Sequence, residues 1–257
     1  MKKSFLITLA VVLFSAALFS AYQLWRYSAD EQETEEQFSN LSARIELPTP
    51  STSEQPPAPG EISPEWTIND QYGLLFDQNP DMIGWIAIDG TGIDYPVMQT
   101  PDKSNYYLNH NFEKQHSDHG VPYAAESASI DPQSDNITLY GHHMKGGKMF
   151  GSLESYKSAD FWREHPIIQF DTRAGFGRYE IIAAFKITPA DFEYHLFIDA
   201  IDEAAFDDYV QRCKALSFYD TGVSAQYGDK LITLSTCEYS QPNNRLVVVA
   251  RKIETGG

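Results

Sequence analysis

The stretch that decides the fold is Asp229-Lys230-Leu231-Ile232-Thr233-Leu234-Ser235-Thr236-Cys237-Glu238, followed by Arg245-Leu246-Val247-Val248-Val249-Ala250. Residues 231–234 and 246–250 are short apolar runs rich in β-branched side chains, which predicts two strands, each with a buried face. Residues 241–244, Gln-Pro-Asn-Asn, have the composition of a turn. Two strands lying side by side would bring Cys237, which ends the first, next to Arg245, which opens the second.

This pairing allows a functional and a structural interpretation. A thiol beside a guanidinium lies in an electropositive setting, which makes a cysteine reactive. Alternatively, Cys237 is a buried structural residue, because unpaired cysteines are among the most buried residues, and Arg245 is a solvated strand start. The two strands alone leave both interpretations open.

Composition excludes several classes of partner and site. The chain has 257 residues, a net charge of −17 and two cysteines. The acidic balance argues against nucleic acid as a partner and against a polybasic grip on anionic lipid. Cys213 falls on the apolar face of a predicted helix, which does not favour a disulfide with Cys237. The cysteine and histidine spacings match no zinc motif, so we expect no metal.

The N-terminus predicts a membrane anchor. Residues 5–25 carry no charge and follow Lys2 and Lys3, and the run is long enough to cross a bilayer. The two lysines favour a cytoplasmic N-terminus, residues 1–4. A cleaved signal peptide is the alternative, but Phe19-Ser20-Ala21 is a poor small-x-small cleavage site. In either case the rest of the chain leaves the cytoplasm.

A spacer and one folded domain follow the anchor. Residues 26–63 are rich in Glu, Gln, Ser, Thr and Pro, which predicts an extended acidic extracellular linker. Within it, residues 30–38 could form a short charged helix. The folded domain is expected over residues 64–257.

The domain predicts many strands and few helices. Ser63 and Pro64 fit the N-cap and first turn of a helix over 64–77. Further helical pieces are predicted at 149–156, 160–164 and 202–216. Strands are predicted at 82–88, 93–98, 120–125, 136–140, 167–171 and 177–188, besides the two above. About eight short strands indicate a β-barrel or sandwich rather than a βαβ sheet.

One of the seven histidines is placed to act with the cysteine. His110, His116 and His119 lie in a polar loop and are expected at the surface. His142 follows the strand at 136–140 and Gly141, at the rim of the sheet, where functional groups are displayed. Cysteine hydrolases and transferases need a histidine that is distant in sequence but adjacent in the fold. The alternative is a histidine hydrogen-bonded in a structural role.

Four motifs in order resemble the class B sortases. They are Asn79-Pro80-Asp81-Met82-Ile83-Gly84-Trp85-Ile86, Asp94-Tyr95-Pro96-Val97-Met98-Gln99-Thr100, Leu139-Tyr140-Gly141-His142-His143-Met144 with Met149-Phe150-Gly151-Ser152-Leu153 after it, and Thr233-Leu234-Ser235-Thr236-Cys237 with Arg245. The resemblance covers residues 66–253. It implies a mainly β fold, an eight-stranded barrel with an N-terminal helix and a long helix before the penultimate strand.

The resemblance also implies roles for individual residues. Cys237 would be the nucleophile, His142 the general acid and base, and Arg245 the group that stabilises the oxyanion or positions the substrate. Ser235 and Glu238 would line the substrate groove, and residues 190–197 would form one of its walls. His143 would be a neighbour of the catalytic histidine. No cofactor or metal is implied.

The implied activity is transpeptidation outside the cell. Such enzymes cut a C-terminal sorting signal between Thr and Gly through a thioester, and join the surface protein to an amine of the cell wall or of a pilin. The expected location is the cell membrane, with one crossing, a cytoplasmic N-terminus and an extracellular catalytic domain. A thiol peptidase that only hydrolyses and a membrane-tethered binding module remain alternatives.

Overall fold

The computed structural model describes residues 2–45, 67–237, 239–240 and 243–253. Within these ranges the chain forms four α-helices and eight strands, joined by turns and short 3₁₀ helices. The helices are α1 (Lys2–Ser42), α2 (Ile68–Gln78), α3 (Ala159–Glu164) and α4 (Glu203–Leu216). The strands are β1 (Met82–Ala87), β2 (Asp94–Met98), β3 (Tyr123–Ala124), β4 (Asn136–Tyr140), β5 (Ile167–Thr172), β6 (Arg178–Ile187), β7 (Leu231–Cys237) and β8 (Arg245–Lys252).

The strands close into a barrel in the order β1-β2-β3-β4-β7-β8-β6-β5, completed by the pairing of β1 with β5. This confirms the predicted eight-stranded barrel and decides against a sandwich. Only β2–β3 and β4–β7 are parallel pairs within the described chain. Because β4 and β7 are parallel, both end at the same rim of the barrel. β8 is antiparallel to β7, so it begins at that rim.

Alternation along β7 shows how this strand is buried on both faces. Ile232 and Leu234 belong to the cluster that draws on all eight described strands and fills the barrel. Leu231 belongs instead to a second cluster, in which Phe206 and Cys213 of α4 pack against the outside of the barrel. A strand covered on both sides reads as a continuous apolar run, as the sequence of β7 does. The core face predicted for the helix at 202–216 is confirmed.

The start of α2 differs from the prediction. The described helix begins at Ile68, and Thr67 is its N-cap, while residues 46–66, with the predicted cap Ser63 and Pro64, lie outside the described residues. Thr67 Oγ1 accepts a hydrogen bond from the Asp70 amide, and the Asp70 carboxylate accepts one from the Thr67 amide. This reciprocal capping box satisfies two amides that the first helical turn would leave unpaired.

The long helix α1 also differs from the prediction. Its first part, over residues 5–25, is apolar and exposed, and α1 is long and apolar enough to cross a membrane by length and composition. Residues 26–42, expected to be mostly extended spacer, continue the same helix and pack against the barrel. His119 lies under this helix and is 1% exposed, so the prediction that it is a surface residue is wrong. The Tyr27 ring packs edge-on against the His119 ring, with 4.7 Å between the ring centroids.

Candidate active site

Three strand ends meet at the rim where β4 and β7 finish and β8 begins. Tyr140, the last residue of β4, is the register partner of Ser235. Cys237, the last residue of β7, is the register partner of Arg245, the first residue of β8. Directly opposed residues of an antiparallel pair have Cα atoms about 5 Å apart. The predicted adjacency of Cys237 and Arg245 therefore follows from strand register alone.

Two hydrogen bonds carry the chain beyond β4 along the end of β7. The Gly141 amide donates to the Ser235 carbonyl at 3.2 Å, and Thr236 Oγ1 donates to the Gly141 carbonyl at 2.8 Å. Gly141 fits because a Cβ there would lie 2.6 Å from Cγ of Phe150, a buried ring. The backbone is thus hydrogen-bonded to β7 as far as Gly141. The loop that begins with His142 therefore starts beside the end of β7.

The two cysteines lie in different environments. Cys237 is partly exposed at the rim, whereas Cys213 is fully buried on the barrel-facing side of α4, and both are free thiols. Burial raises the pKa of the Cys213 thiol to about 12. The structural interpretation of a cysteine therefore fits Cys213, and Cys237 is the thiol that a solvent-borne substrate can reach.

The Arg245 guanidinium turns back over the start of its own strand. Its Nη1 donates to the carbonyls of Asn244 at 3.0 Å and Asn243 at 3.3 Å. Asn243 has a φ of +62°, a left-handed conformation that asparagine tolerates better than most residues. The turn before β8 thereby aims its carbonyls at the guanidinium and fixes one edge of it. A guanidinium is a planar fork with further N–H groups that can bind other acceptors.

The His142 ring is oriented by a loop that precedes β3. Its Nε2 lies 2.7 Å from the carbonyl oxygen of Leu108, the last residue of a 3₁₀ helix, Tyr106–Leu108. A carbonyl can only accept, so Nε2 carries the proton and donates, and Nδ1 is then the basic nitrogen of the neutral ring. The His142 carbonyl in turn accepts from the Phe150 amide at 3.0 Å, which closes the loop over residues 142–150.

His143 takes a position that the sequence did not indicate. Its Nδ1 donates to the Cys237 carbonyl at 2.9 Å, and its ring stacks edge-on against Tyr239 at 5.2 Å. His143 therefore ties the loop that carries His142 to the end of β7 that carries Cys237. The only signal for it in the sequence is the second histidine after the strand, and a pair of adjacent histidines does not say which ring faces the cysteine.

Of the two predicted groove residues, only Ser235 lies within the residues that the structure describes. Ser235 is 2% exposed, and its hydroxyl shares a hydrogen bond of 2.7 Å with the phenol of Tyr194. Burial raises the pKa of Tyr194, so the phenol stays protonated and the pair stays neutral. This contact joins β7 to the segment 190–197, the predicted groove wall. Glu238 lies outside the described residues.

The chain matches the family model of the sortase domain over residues 86–253. It belongs to the sortase family. It is 33% identical over 189 residues to sortase B of Listeria monocytogenes, covering 72% of this chain and 75% of that one. It superposes with a TM-score of 0.68 on the Staphylococcus aureus sortase B–substrate complex, at 27% identity, over 92% of this chain and 99% of that chain. A sortase B complexed with triglycine superposes with a TM-score of 0.69 at 31% identity, over 75% of this chain and 89% of that one.

These likenesses confirm the predicted class B sortase and its barrel. Sortases are cysteine transpeptidases, so this chain is one as well. In the described part of this sortase no three His, Cys, Asp or Glu side chains are grouped so that they could hold a metal ion. The described side chains at the rim include a thiol, two imidazoles and a guanidinium.

Proposed function

We propose that this sortase cleaves the C-terminal sorting signal of a surface protein between Thr and Gly, and joins the new Thr carboxyl end to an amine of the cell wall or of a pilin. One observation carries the proposal: the register partnership of Cys237 with Arg245 at the rim where β4 ends and the His142 loop begins. The proposed nucleophile, acid–base group and cation come from three separate stretches of sequence, each of which begins or ends at this one rim.

The first half-reaction forms a thioester. His142 Nδ1 takes the proton of the Cys237 thiol, the resulting thiolate attacks the Thr carbonyl carbon, and the carbonyl oxygen takes the negative charge of the tetrahedral intermediate. Arg245 donates N–H groups to that oxyanion, a type of contribution worth about 3 kcal/mol in other enzymes. The C–N bond breaks as His142 delivers the proton on Nδ1 to the departing Gly amine. The Thr acyl group is then bonded to Cys237 Sγ.

The second half-reaction releases the joined product. An amine attacks the thioester carbonyl, His142 Nδ1 takes the proton that this amine loses, and the Cys237 thiolate departs. The hydrogen bond that His142 Nε2 donates to the Leu108 carbonyl suits both steps, because it leaves Nδ1 as the atom that gains and loses the proton. Ser235 and Glu238 are proposed to line the groove in which the sorting signal lies.

We further propose that the exposed apolar part of α1, residues 5–25, spans the cell membrane once. Lys2 and Lys3 precede it, which supports a cytoplasmic N-terminus and an extracellular barrel. The partners of the enzyme are then two: surface proteins that carry a sorting signal, and the amine acceptor of the cell wall. Tagging the N-terminus and the C-terminus and testing which one an added protease reaches on intact cells checks this orientation. A protected C-terminal tag would contradict it.

Mass spectrometry of the full chain in detergent micelles tests the reaction. The substrates are peptides randomised around one Thr-Gly bond, with and without triglycine as the amine acceptor. We expect an acyl adduct on Cys237 and, with triglycine, a peptide extended by three glycines. Hydrolysed product alone at saturating triglycine would identify a thiol peptidase instead. Absence of any adduct would favour a binding module.

A further inference from the structure

The second half of α1 lies on the barrel along one face. Thr34, Phe38 and Leu41 are buried at a spacing of four and three residues, the spacing of one helical stripe. The Phe38 ring packs edge-on against Tyr95 of β2 at 4.9 Å. Residues 26–42 therefore do more than connect the membrane to the domain, since they cover part of its surface.

One contact of this face reaches the loop that carries His142. Lys148 Nζ lies 2.8 Å from Glu31 Oε1 and 2.6 Å from Glu35 Oε1. Two glutamates four residues apart on a helix repel each other, and Lys148 offsets that repulsion by binding both. The hydrogen bonds to Glu31 and Glu35 raise the pKa of Lys148, and the hydrogen bond from Lys148 lowers the pKa of Glu31.

Lys148 is well placed to act on His142 through the backbone. Its neighbour Met149 forms a β-bridge with His143, and Phe150 donates its amide to the His142 carbonyl. The Met149 amide also donates to the Tyr95 hydroxyl at 3.0 Å. The loop over residues 142–150 is thus short and closed, and a shift of Lys148 would move the backbone of both histidines.

A second contact reaches the segment that orients the His142 ring. Asp30 Oδ2 accepts from the Asp118 amide at 2.9 Å and from Ser117 Oγ at 3.3 Å. The Ser117 amide donates to the carbonyl of Asn109, the residue after Leu108, whose own carbonyl accepts from the His142 ring. The helix therefore touches the loop that bears His142 and the loop that holds its Nε2.

We propose that residues 27–38 of α1 are a positioning element of the active site, with Lys148, clamped by Glu31 and Glu35, as the positioning residue that couples the helix to His142. This inference rests on the proposed role of His142. The apolar part of the same helix ends near Trp25, and Glu35 lies ten residues further, so Lys148 is held within about 15 Å of that end along the helix axis. The anchor and the catalytic loop then form one mechanical unit.

Charge exchange in the full-length chain in detergent micelles tests this coupling. Lys148→Glu places a third carboxylate beside Glu31 and Glu35. We expect kcat for the Thr-Gly peptide pool to fall about tenfold, because small displacements of a catalytic group cost that much, with KM within about twofold. Exposed ion pairs contribute little to stability, so the melting temperature should stay close to that of the parent chain.

The rescue variant separates coupling from general damage. Lys148→Glu combined with Glu31→Lys and Glu35→Lys restores opposite charges across the contact and should recover kcat to within about twofold. Arg163→Glu is the matched control, because Arg163 pairs with Asp160 on an exposed helix. It should leave kcat unchanged.

The outcomes distinguish this inference from the proposed function. An unchanged kcat in Lys148→Glu, or no recovery in a folded triple variant, would overturn the coupling while the parent chain still turns over. If the parent chain itself gives no transpeptidation with triglycine, the proposed function fails instead.

Discussion

Cys237 and Arg245 are register partners at the last position of the β7–β8 pair, where one strand ends and the other begins. Their proximity does not depend on a flexible loop, since the ladder of hydrogen bonds up to Thr236 and Leu246 sets it. A site built on strand ends keeps its geometry better than one built on loops alone. The first prediction follows from this pair.

Arg245→Lys should lower kcat/KM about a hundredfold. The planar guanidinium can bind the turn carbonyls and an oxyanion at the same time, whereas the ammonium of lysine cannot reproduce that geometry. The melting temperature should change little, since Arg245 is partly exposed. Arg251→Lys is the matched control: Arg251 lies at the other end of β8 and pairs with Glu180 at 3.2 Å. A variant at position 245 with near-parental kcat/KM in the peptide assay would remove Arg245 from the mechanism.

Replacing each cysteine in turn separates chemistry from packing. Cys237→Ala should abolish the acyl adduct and leave the melting temperature near that of the parent chain, because Cys237 lies at a rim. Cys213→Ala should retain kcat and lower the free energy of unfolding by about 1 kcal/mol, since it removes a fully buried sulfur. Adduct formation by mass spectrometry and urea unfolding measure the two effects. Peptide turnover by Cys237→Ala would contradict the proposed nucleophile.

The same contrast predicts the stoichiometry of thiol labelling. At pH 8 the Cys213 thiol is protonated, because burial raises its pKa to about 12, and the packing of α4 against the barrel shields it from solvent. Iodoacetamide should therefore label the folded chain on Cys237 and label both cysteines in urea. Peptide mapping of the alkylated sites provides the measurement. Rapid labelling of Cys213 in the folded chain would mean that α4 opens.

Replacing His142 and replacing His143 should have different effects on kcat. His142→Gln removes the basic Nδ1 and should lower kcat by about a thousandfold. His143→Gln loses a hydrogen bond to the Cys237 carbonyl and should lower kcat only several-fold, as expected of a positioning residue. Steady-state kinetics over a range of pH provide the measurement, and His143→Gln should keep the pH profile of the parent chain. Equal losses in the two variants would contradict this division of roles.

Much of the barrel could be predicted because its signals are local. The strands β7 and β8 are continuous apolar runs, and α4 shows its core face through the spacing of Phe206, Tyr209 and Cys213. The pairing of Cys237 with Arg245 followed from two strands and the turn between them. The capping box of α2 was not predicted: Thr67 and Asp70 have its spacing, but Ser63 and Pro64 offered a competing start.

The docking of α1 could not be predicted because its partners are distant in the sequence and several of its contacts are made by charged side chains. Asp30 and Glu31 look like solvated charges in a segment rich in Glu and Gln. Their partners, the Asp118 amide and Lys148, lie 88 and 117 residues away in the chain. Nothing in composition or periodicity connects such positions. The burial of His119 was missed for the same reason.

Gly141 gives a last prediction, about the residue between β4 and His142. A Cβ at Gly141 would lie 2.6 Å from Phe150, a buried ring whose backbone closes the His142 loop. Gly141→Ala should therefore shift that loop, lower kcat about tenfold and destabilise the fold by about 1–3 kcal/mol. Gly73→Ala is the control, because Gly73 lies in α2 with open space around its Cβ position, and it should stabilise the chain by about 0.5–1 kcal/mol. Urea unfolding and peptide kinetics measure both changes, and near-parental kcat in Gly141→Ala would show that the loop position does not limit the reaction.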